Sequence, residues 1–408
     1  MRKSMFFLVL LLFVIVIADS TWANGKGTNN GRVSQLRVMT LNFYIGADIL
    51  GVSEPSPCGA LQSVNNLFEE IVMSDPVARA EVHADLIAQR QPDVVALQEM
   101  YRISKQVPSN SFVFNPSIPG FEFDNFEVNE DDSITFIPDA EVVVYDYLDL
   151  LLEALTDRGL QYEVVEDAMA YESDFEFPSW DLDPDLGCNP EPGALPTDIR
   201  AEDRDAILVK SGISYDNATA ANYGTLLPFT IPTGTGTDVK IIVVRGYGAT
   251  DITHQGRTHR IVNTHLEVDD QSDPNSPINL IQAAQAQELI AVLEQETLPL
   301  VVAGDFNSSP DPDDVSSAYE LIVAAGYEDI WTQFDRRPGN TCCQAPDLMN
   351  FKSELFKRID LILLRPPDDA EFLPSPMWVT GDRQSDKTDS GLWPSDHASV
   401  SATIKLKQ

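Results

Sequence analysis

Gly304-Asp305-Phe306-Asn307 follows the apolar run Leu298-Pro299-Leu300-Val301-Val302-Ala303, so a carboxylate and a carboxamide stand two residues apart where a buried strand gives way to a turn. Residues two apart in a strand project from one face, which aims Asp305 and Asn307 at a single point. That arrangement suits phosphoryl transfer, although the tetrapeptide alone fits a polar strand-to-turn junction equally well. Five further segments share its form, an apolar strand ending in residues able to do chemistry. They are Arg37-Val38-Met39-Thr40-Leu41-Asn42, Asp93-Val94-Val95-Ala96-Leu97-Gln98-Glu99, Arg260-Ile261-Val262-Asn263-Thr264-His265, Arg358-Ile359-Asp360-Leu361-Ile362-Leu363-Leu364, and Ser395-Asp396-His397 entering Ala398-Ser399-Val400. Any one of them could be chance; six in this order are not.

The elements that must position these residues are strands alternating with helices. Pro76 to Gln91 carries Ala78, Val82, Leu86 and Ile87 at helical spacing and is expected to pack beside the strand ending at Glu99. Tyr145 to Gly159 reads as a helix with Leu148, Leu151, Leu152 and Leu155 along one face, stopped by Gly159. Asn279 to Glu296 and Ser316 to Gly326 are further helices. Strands are expected at Tyr162 to Val165, Ala206 to Val209 and Val239 to Arg245, the last forming a hairpin with Thr258 to His265 through His254-Gln255-Gly256-Arg257. His83, His254 and His259 are expected at the surface. Residues 102–140 read as an insertion, and residues 171–199, acidic and rich in proline, as a solvated one.

The series Asn42, Gln98-Glu99, Asn263-Thr264-His265, Gly304-Asp305-Phe306-Asn307, Arg358-Ile359-Asp360, Ser395-Asp396-His397 resembles that of the endonuclease/exonuclease/phosphatase superfamily, over roughly residues 35 to 405. More narrowly, Asn42-Phe43-Tyr44-Ile45-Gly46-Ala47-Asp48 and Thr341-Cys342-Cys343-Gln344 look like a group of exported bacterial members. The resemblance implies an α/β fold, a four-layered α/β sandwich of two mixed β-sheets flanked by helices, with the site at the sheet edge.

It also implies a metal-dependent phosphoric ester hydrolase that cleaves phosphodiesters by metal-assisted attack of water. Such esters repel nucleophiles, so a catalyst must neutralise the phosphoryl oxygens, activate water and protonate the leaving oxygen. Glu99, a carboxylate ending a buried strand, suits a hard cation: magnesium, with manganese and calcium open. Asn42 and Asp396 match positions that coordinate that metal or stand beside it. The family sometimes has a carboxylate two residues beyond the asparagine; this chain has Tyr44 there, with Asp48 as a nearby substitute. Asp305 and Asn307 match the pair that positions the attacking water and binds a phosphate oxygen, Asp305 being the candidate general base. His265 and His397 match the two histidines, and which is acid and which is base stays open. Asp360 matches the carboxylate that holds His397. Arg204 falls where relatives place a phosphate-facing cation; the alternative is that it pairs with neighbouring acids.

Lys and Arg number 27 against 64 Asp and Glu, a net charge of −37. A field of that sign repels polyanions at long range, which favours a small or neutral-headed phosphodiester over chromosomal DNA; solubility in salty surroundings accounts for the charge equally well. The candidate partners are therefore a small molecule, a lipid head group or a nucleic acid. The readings are a phosphodiesterase, within it a secreted nuclease or a sphingomyelinase-like enzyme, and a non-catalytic binding protein on the same fold. The Phe-rich stretch Phe112 to Phe126 is the one candidate lipid-docking surface, and packing of the insertion explains it as well.

Residues 1–23 read as an export signal: Arg2 and Lys3, the apolar run Met5 to Ala18, then Thr21-Trp22-Ala23 before the cleavage point. Residues 24–34 form a flexible lead-in, and 35–408 are expected to be one catalytic domain, monomeric, secreted or periplasmic, without a membrane span in the mature chain. Export permits disulfides. Cys342 and Cys343 are each expected to pair with a distant partner, stapling Cys58 and Cys188 to the loop before Asp360.

Overall fold

Alternation along the strands decides the architecture. In the strand Val33–Asn42, Leu36 and Val38 face one way and Met39 and Leu41 the other, and all four are buried, as a two-residue period requires when both faces of a sheet are covered. Val94–Gln98 and Thr197–Lys210 repeat the pattern. The Leu36, Val38, Val94, Ala96, Ile207 and Val209 set packs against Ile252, Ile261, Val301, Ala303 and Ile362 of a second sheet. The opposite set, with Met39, Leu41, Val95, Leu97 and Leu208, packs under the helices Pro76–Arg90 and Tyr147–Asp157. Beyond the second sheet, Val262, Val302 and Leu363 meet Ala286, Leu289 and Leu293 of the helix Pro277–Leu293. This computed structural model is therefore helix, sheet, sheet, helix, the four-layered α/β sandwich of mixed sheets expected from the motifs. It describes residues 33–49, 58–114, 121–190, 193–231, 238–335, 337–367 and 370–407. The expected export signal and nearly all of the lead-in lie outside them, and among the described residues no helix is long and apolar enough to cross a membrane.

Strand direction brings the motif ends together. Val33–Asn42 runs parallel to Val94–Gln98, with Asn42 opposite Gln98. In the second sheet, Arg257–His265 runs parallel to Leu300–Asp305, with His265 opposite Asp305. Asp360–Arg365 runs antiparallel to that strand and begins where it ends, Asp305 opposite Asp360. The last strand, Ser399–Lys407, is antiparallel to the first, Thr40 opposite Val400, so Ser395-Asp396-His397 arrives at the same edge. Gly304 allows the close approach this needs: a Cβ there would lie 1.9 Å from the Thr264 carbonyl oxygen.

Several local expectations change. The hairpin partner of Arg257–His265 is Gly246–His254, not Val239 to Arg245, although the turn is the one expected. Val239–Val243 instead joins Leu227–Ile231, Ile134–Phe136 and Phe126–Val128 in a small separate sheet. The acidic insertion is not a solvated loop throughout: Ala170–Ser179 is a strand paired along Thr197–Lys210, and Trp180 is buried against Leu61 and Leu182. Cys58 packs on that same patch and bonds to Cys188, while Cys342 and Cys343 bond to each other. The two outer loops therefore staple each other rather than the segment before Asp360.

His259 is buried, and so is His83, which was expected at the surface. His83 Nε2 donates to the Pro394 carbonyl at 2.9 Å, and from one turn earlier Arg79, fully buried, donates to the carbonyls of Phe43, Tyr44 and Pro394. One helix face thus ties the Asn42 loop to the Ser395-Asp396-His397 segment. Burial, with Arg79 nearby, pulls the His83 pKa down to about 3, whereas the unfolded chain takes up that proton near 6.5. Between those values the unfolded state binds more protons, so this histidine removes stability as pH falls below 6.5. Comparing unfolding free energies of the protein and His83→Gln from neutral pH to pH 4 should show the parent losing up to about 1.4 kcal/mol more per pH unit than the variant. Parallel curves would contradict it.

Candidate active site

On the inner face of each sheet the apolar alternation turns polar in the last positions before the open edge. Thr40 and Asn42 continue Leu36 and Val38; Gln98 continues Val94 and Ala96; Asn263 and His265 continue Ile261; Asp305 continues Val301 and Ala303; Asp360 begins the register of Ile362 and Leu364. Buried amides join the two sheets just beneath. Gln98 Nε2 donates to Asn263 Oδ1 at 2.6 Å, and Asn263 Nδ2 donates to the carbonyls of Leu97 and Ala206 at 2.8 and 3.1 Å. Three residues just past the strand ends, Tyr44, Glu99 and Asn307, take left-handed backbone conformations with φ of 67°, 56° and 48°. Such conformations cost energy in residues other than glycine and are held here by the surrounding contacts.

Asp305 is the hub. Its Oδ2 accepts from Asn42 Nδ2 at 3.1 Å and lies 3.8 Å from His265 Nε2 and 3.7 Å from His397 Nδ1; its Oδ1 accepts the Asn307 backbone N–H at 2.9 Å. Asn42 Nδ2 also donates to Glu99 Oε1 at 2.8 Å, while its Oδ1 accepts from the Tyr44 backbone. Asn42 thus meets the site through its amide nitrogen. Glu99 Oε2 accepts from the Ile45 backbone at 3.1 Å, which leaves this half-buried carboxylate with free lone pairs at the mouth. His397 Nδ1 is 2.8 Å from Asp360 Oδ2, and its Nε2 lies 3.9 Å from Asp396 Oδ1. Asn307 Nδ2 donates to the Leu266 carbonyl at 3.0 Å. Asp48 is exposed.

Eight of the nine residues singled out from sequence converge here; Arg204 does not. Its guanidinium donates to the Met100 carbonyl at 3.0 Å and pairs with Asp146 at 2.7 Å, on the helix-facing side of the sheet. Strand parity is the reason: Ala206 and Leu208 share its face, whereas Asp203 and Asp205 share the interior face with Ile207 and Val209. A cation that does reach His265 is Arg245. Its Nη1 lies 2.9 Å from His265 Nδ1, 3.1 Å from Glu172 Oε2 and 3.3 Å from Asp203 Oδ2, all buried. Nothing in the sequence marked Arg245 or Glu172, because each gains its place from a strand pairing distant in sequence.

Crowded acids in a dry pocket shape the electrostatics. Burial pushes the Asp305 carboxyl up to about 6 and that of Asp396 up to about 7, with Glu99, Asp305 and Asp360 adding to the latter. Burial alone would lower His397, but Asp360, Asp396 and Asp305 outweigh it and raise the imidazole well above its ordinary value. Burial, Arg245 and His397 together hold His265 well below.

The donor set fits a hard divalent cation. Four carboxylates, Glu99, Asp305, Asp360 and Asp396, act on one another at the mouth, and Asp360 Oδ1 is buried without a hydrogen-bond partner. Among the described residues, Asp305, Asp360 and His397 bring ligand atoms within 4.8 Å of one another, as do Glu172, Asp203 and His265; neither set includes Glu99. A third such set, Cys342, Cys343 and His397, is closed to a metal by the bond between its sulfurs.

Known proteins place the chain. Among solved structures, it is similar to an endonuclease/exonuclease/phosphatase from Bacteroides vulgatus, with 14% identity, 92% of this chain and 100% of that chain covered and a TM-score of 0.47. It is similar to TDP2 from D. rerio complexed with a single-strand DNA product, at 15% identity, 92% and 100% coverage and a TM-score of 0.46. A family protein from Leptotrichia buccalis gives 16% identity, 90% and 99% coverage and a TM-score of 0.42. No curated protein matches. Residues 84–397 match the Endonuclease/Exonuclease/phosphatase family, whose enzymes are hydrolases of phosphodiester bonds that use divalent metals. The chain belongs to that family.

Proposed function

We propose that the chain is an exported, divalent-cation-dependent phosphodiesterase that hydrolyses a small or neutral-headed phosphodiester. The observation that carries this reading is the placing of one carboxylate, Asp305, between two histidines of opposite charge preference, next to the half-open Glu99. Glu99 and Asp396 would hold the cation, magnesium first and manganese or calcium as substitutes, which when bound neutralises phosphoryl oxygens and sharpens the electrophile. Asp305, with a carboxyl near 6, takes the proton of the attacking water. His397, kept protonated by Asp360, delivers a proton to the leaving oxygen. Asn307 orients beside the water, and neutral His265 faces the phosphoryl group. Export is supported by the pattern of residues 1–23, and N-terminal sequencing of the extracytoplasmic protein should begin near Asn24.

The charge of −37, and the use of Arg204 by Asp146 rather than by phosphate, favour a small phosphodiester over nucleic acid. One observation favours a lipid phosphodiester as a second reading. The loop 344–356 exposes Met349, Phe351 and Phe356 at 67%, 78% and 70%, and it is tied to the site by the Gln344 backbone donating to the Asp396 carbonyl at 2.8 Å. Phe123 and Phe126, from the stretch first considered for docking, pack instead beside Phe136 and Ile134.

The test is turnover of an aryl phosphodiester, an aryl phosphomonoester, sphingomyelin vesicles and plasmid DNA, each with magnesium and again with EDTA. Diester hydrolysis that EDTA abolishes is expected, and Asp305→Asn and His397→Ala should lower kcat by roughly 10²-fold or more while the fold survives. Folded variants with full activity would defeat the residue assignment. Magnesium should raise the thermal midpoint of the unaltered protein and leave that of Glu99→Gln unmoved, because a ligand stabilises only the state that binds it. Equal shifts in both would place the cation elsewhere.

A further inference from the structure

Arg245 sits in the link between Val239–Val243 and Gly246–His254, its side chain 11% exposed, and Glu172 and Asp203 share its Nη1 with His265. Its plain role is counter-ion: Glu267 Oε2 also lies 4.0 Å from Nε, and these buried acids outweigh burial to raise the guanidinium well above its ordinary value. The 2.9 Å contact to His265 Nδ1 adds a second role that charge balance does not require.

A guanidinium has only donors and keeps its proton in any protein setting. At 2.9 Å from Nη1, His265 Nδ1 must therefore carry the lone pair, and the ring proton must be on Nε2. Glu172 Oε2, which could accept from a protonated Nδ1, lies 3.7 Å away, beyond hydrogen-bond reach. Protonating Nδ1 would also set a second cation against the guanidinium. On the other side of the ring, Nε2 is 3.8 Å from Asp305 Oδ2, too far to bond, and that oxygen already accepts from Asn42. The groups facing His265 are thus Glu172, Asp203, Arg245, Asp305 and His397, from five separate segments. The Nε2–H lies on the Asp305 side of the ring.

We propose that Arg245 is a positioning residue that fixes His265 as the neutral Nε2–H tautomer, so that His265 donates a hydrogen bond to a phosphoryl oxygen and takes no part as a base. This rests on the phosphodiesterase reading above, and it settles the division of labour between the histidines: His397 transfers a proton, and His265 only donates. A positioned donor of this kind helps most where charge grows on the phosphoryl oxygens. A structural counter-ion would leave the tautomer to chance.

Nitrogen-15 spectra of selectively histidine-labelled protein, with the His265 signals identified by their loss in His265→Asn, read the tautomer without any substrate. The expected result is a pyridine-type Nδ1 and a pyrrole-type Nε2 that persist from about pH 5 to about pH 8, across the range where a free imidazole would titrate. Arg245→Lys, which keeps charge and donor, should preserve that pattern and hold kcat within about tenfold. Arg245→Met combined with Glu172→Gln removes the donor together with one buried anion, so that the pocket is not left with excess charge. There the two tautomers should mix, and kcat should fall about 10- to 100-fold with KM nearly unchanged. A pyrrole-type Nδ1 in the unaltered protein overturns the proposal, and so does a folded double variant that keeps the Nε2–H form and full kcat. Failure of the unaltered protein to hydrolyse any phosphoester would defeat the phosphodiesterase reading instead, while the spectra would still decide what Arg245 does to His265.

Discussion

The two-residue period of strands packed face to face is the constraint on which this molecule depends. Inner-face positions must be apolar through the middle of the sandwich, where nothing can satisfy a polar group, and are free to become polar only where the sheets meet solvent. Because the parallel pair in each sheet ends at one edge and the antiparallel strand Asp360–Arg365 begins there, the inner end positions of five strands open into the same small volume. Asn42 reaches Asp305 across the gap between the sheets, and the Gln98–Asn263 contact just below fixes their spacing. The site is therefore the ordinary termination of a core, with carboxylates and imidazoles where the next Val or Ile would stand.

That placement also explains the electrostatics. Acids buried at the end of a hydrophobic core are dehydrated by it, so Asp305 and Asp396 hold protons more readily than in water, and Asp305 adds to the effect on Asp396. The same burial acts on two chemically identical imidazoles, yet their neighbours send them opposite ways. His397 sits among Asp360, Asp396 and Asp305 and keeps its proton; His265 sits against Arg245 and gives it up. A division of acid and donor between them needs nothing beyond the sign of the adjacent charge.

Much of this was legible in the sequence, for a physical reason. Strand ends that carry chemistry are written as short apolar runs followed by polar residues, and the helices Pro76–Arg90, Tyr147–Asp157 and Pro277–Leu293 announce themselves by their spacing. What escaped was information that exists only between segments. Arg204 and its neighbours Asp203 and Asp205 differ by one step of parity, and in a strand buried on both faces local sequence does not state which parity is inward. The strand Ala170–Ser179 is made by its partner Thr197–Lys210, not by its own composition. His83 looked like a surface position on its helix, but in the fold the Pro394 carbonyl lies over it. The Cys58–Cys188 bond follows from a patch around Trp180 that forms only on folding, and the exposure of Phe351 and Phe356 from a loop held at the site by its backbone.

The central claim is that these strand ends form one cation-and-phosphate centre at the open edge of the sandwich. Crystals soaked with manganese and inorganic phosphate, measured for anomalous scattering at the manganese edge, test it most directly. The account predicts a peak against the Glu99 and Asp396 carboxylates, with phosphate beside Asn307 and His265. A peak at the Glu172 and Asp203 cluster, with none at Glu99, would contradict it.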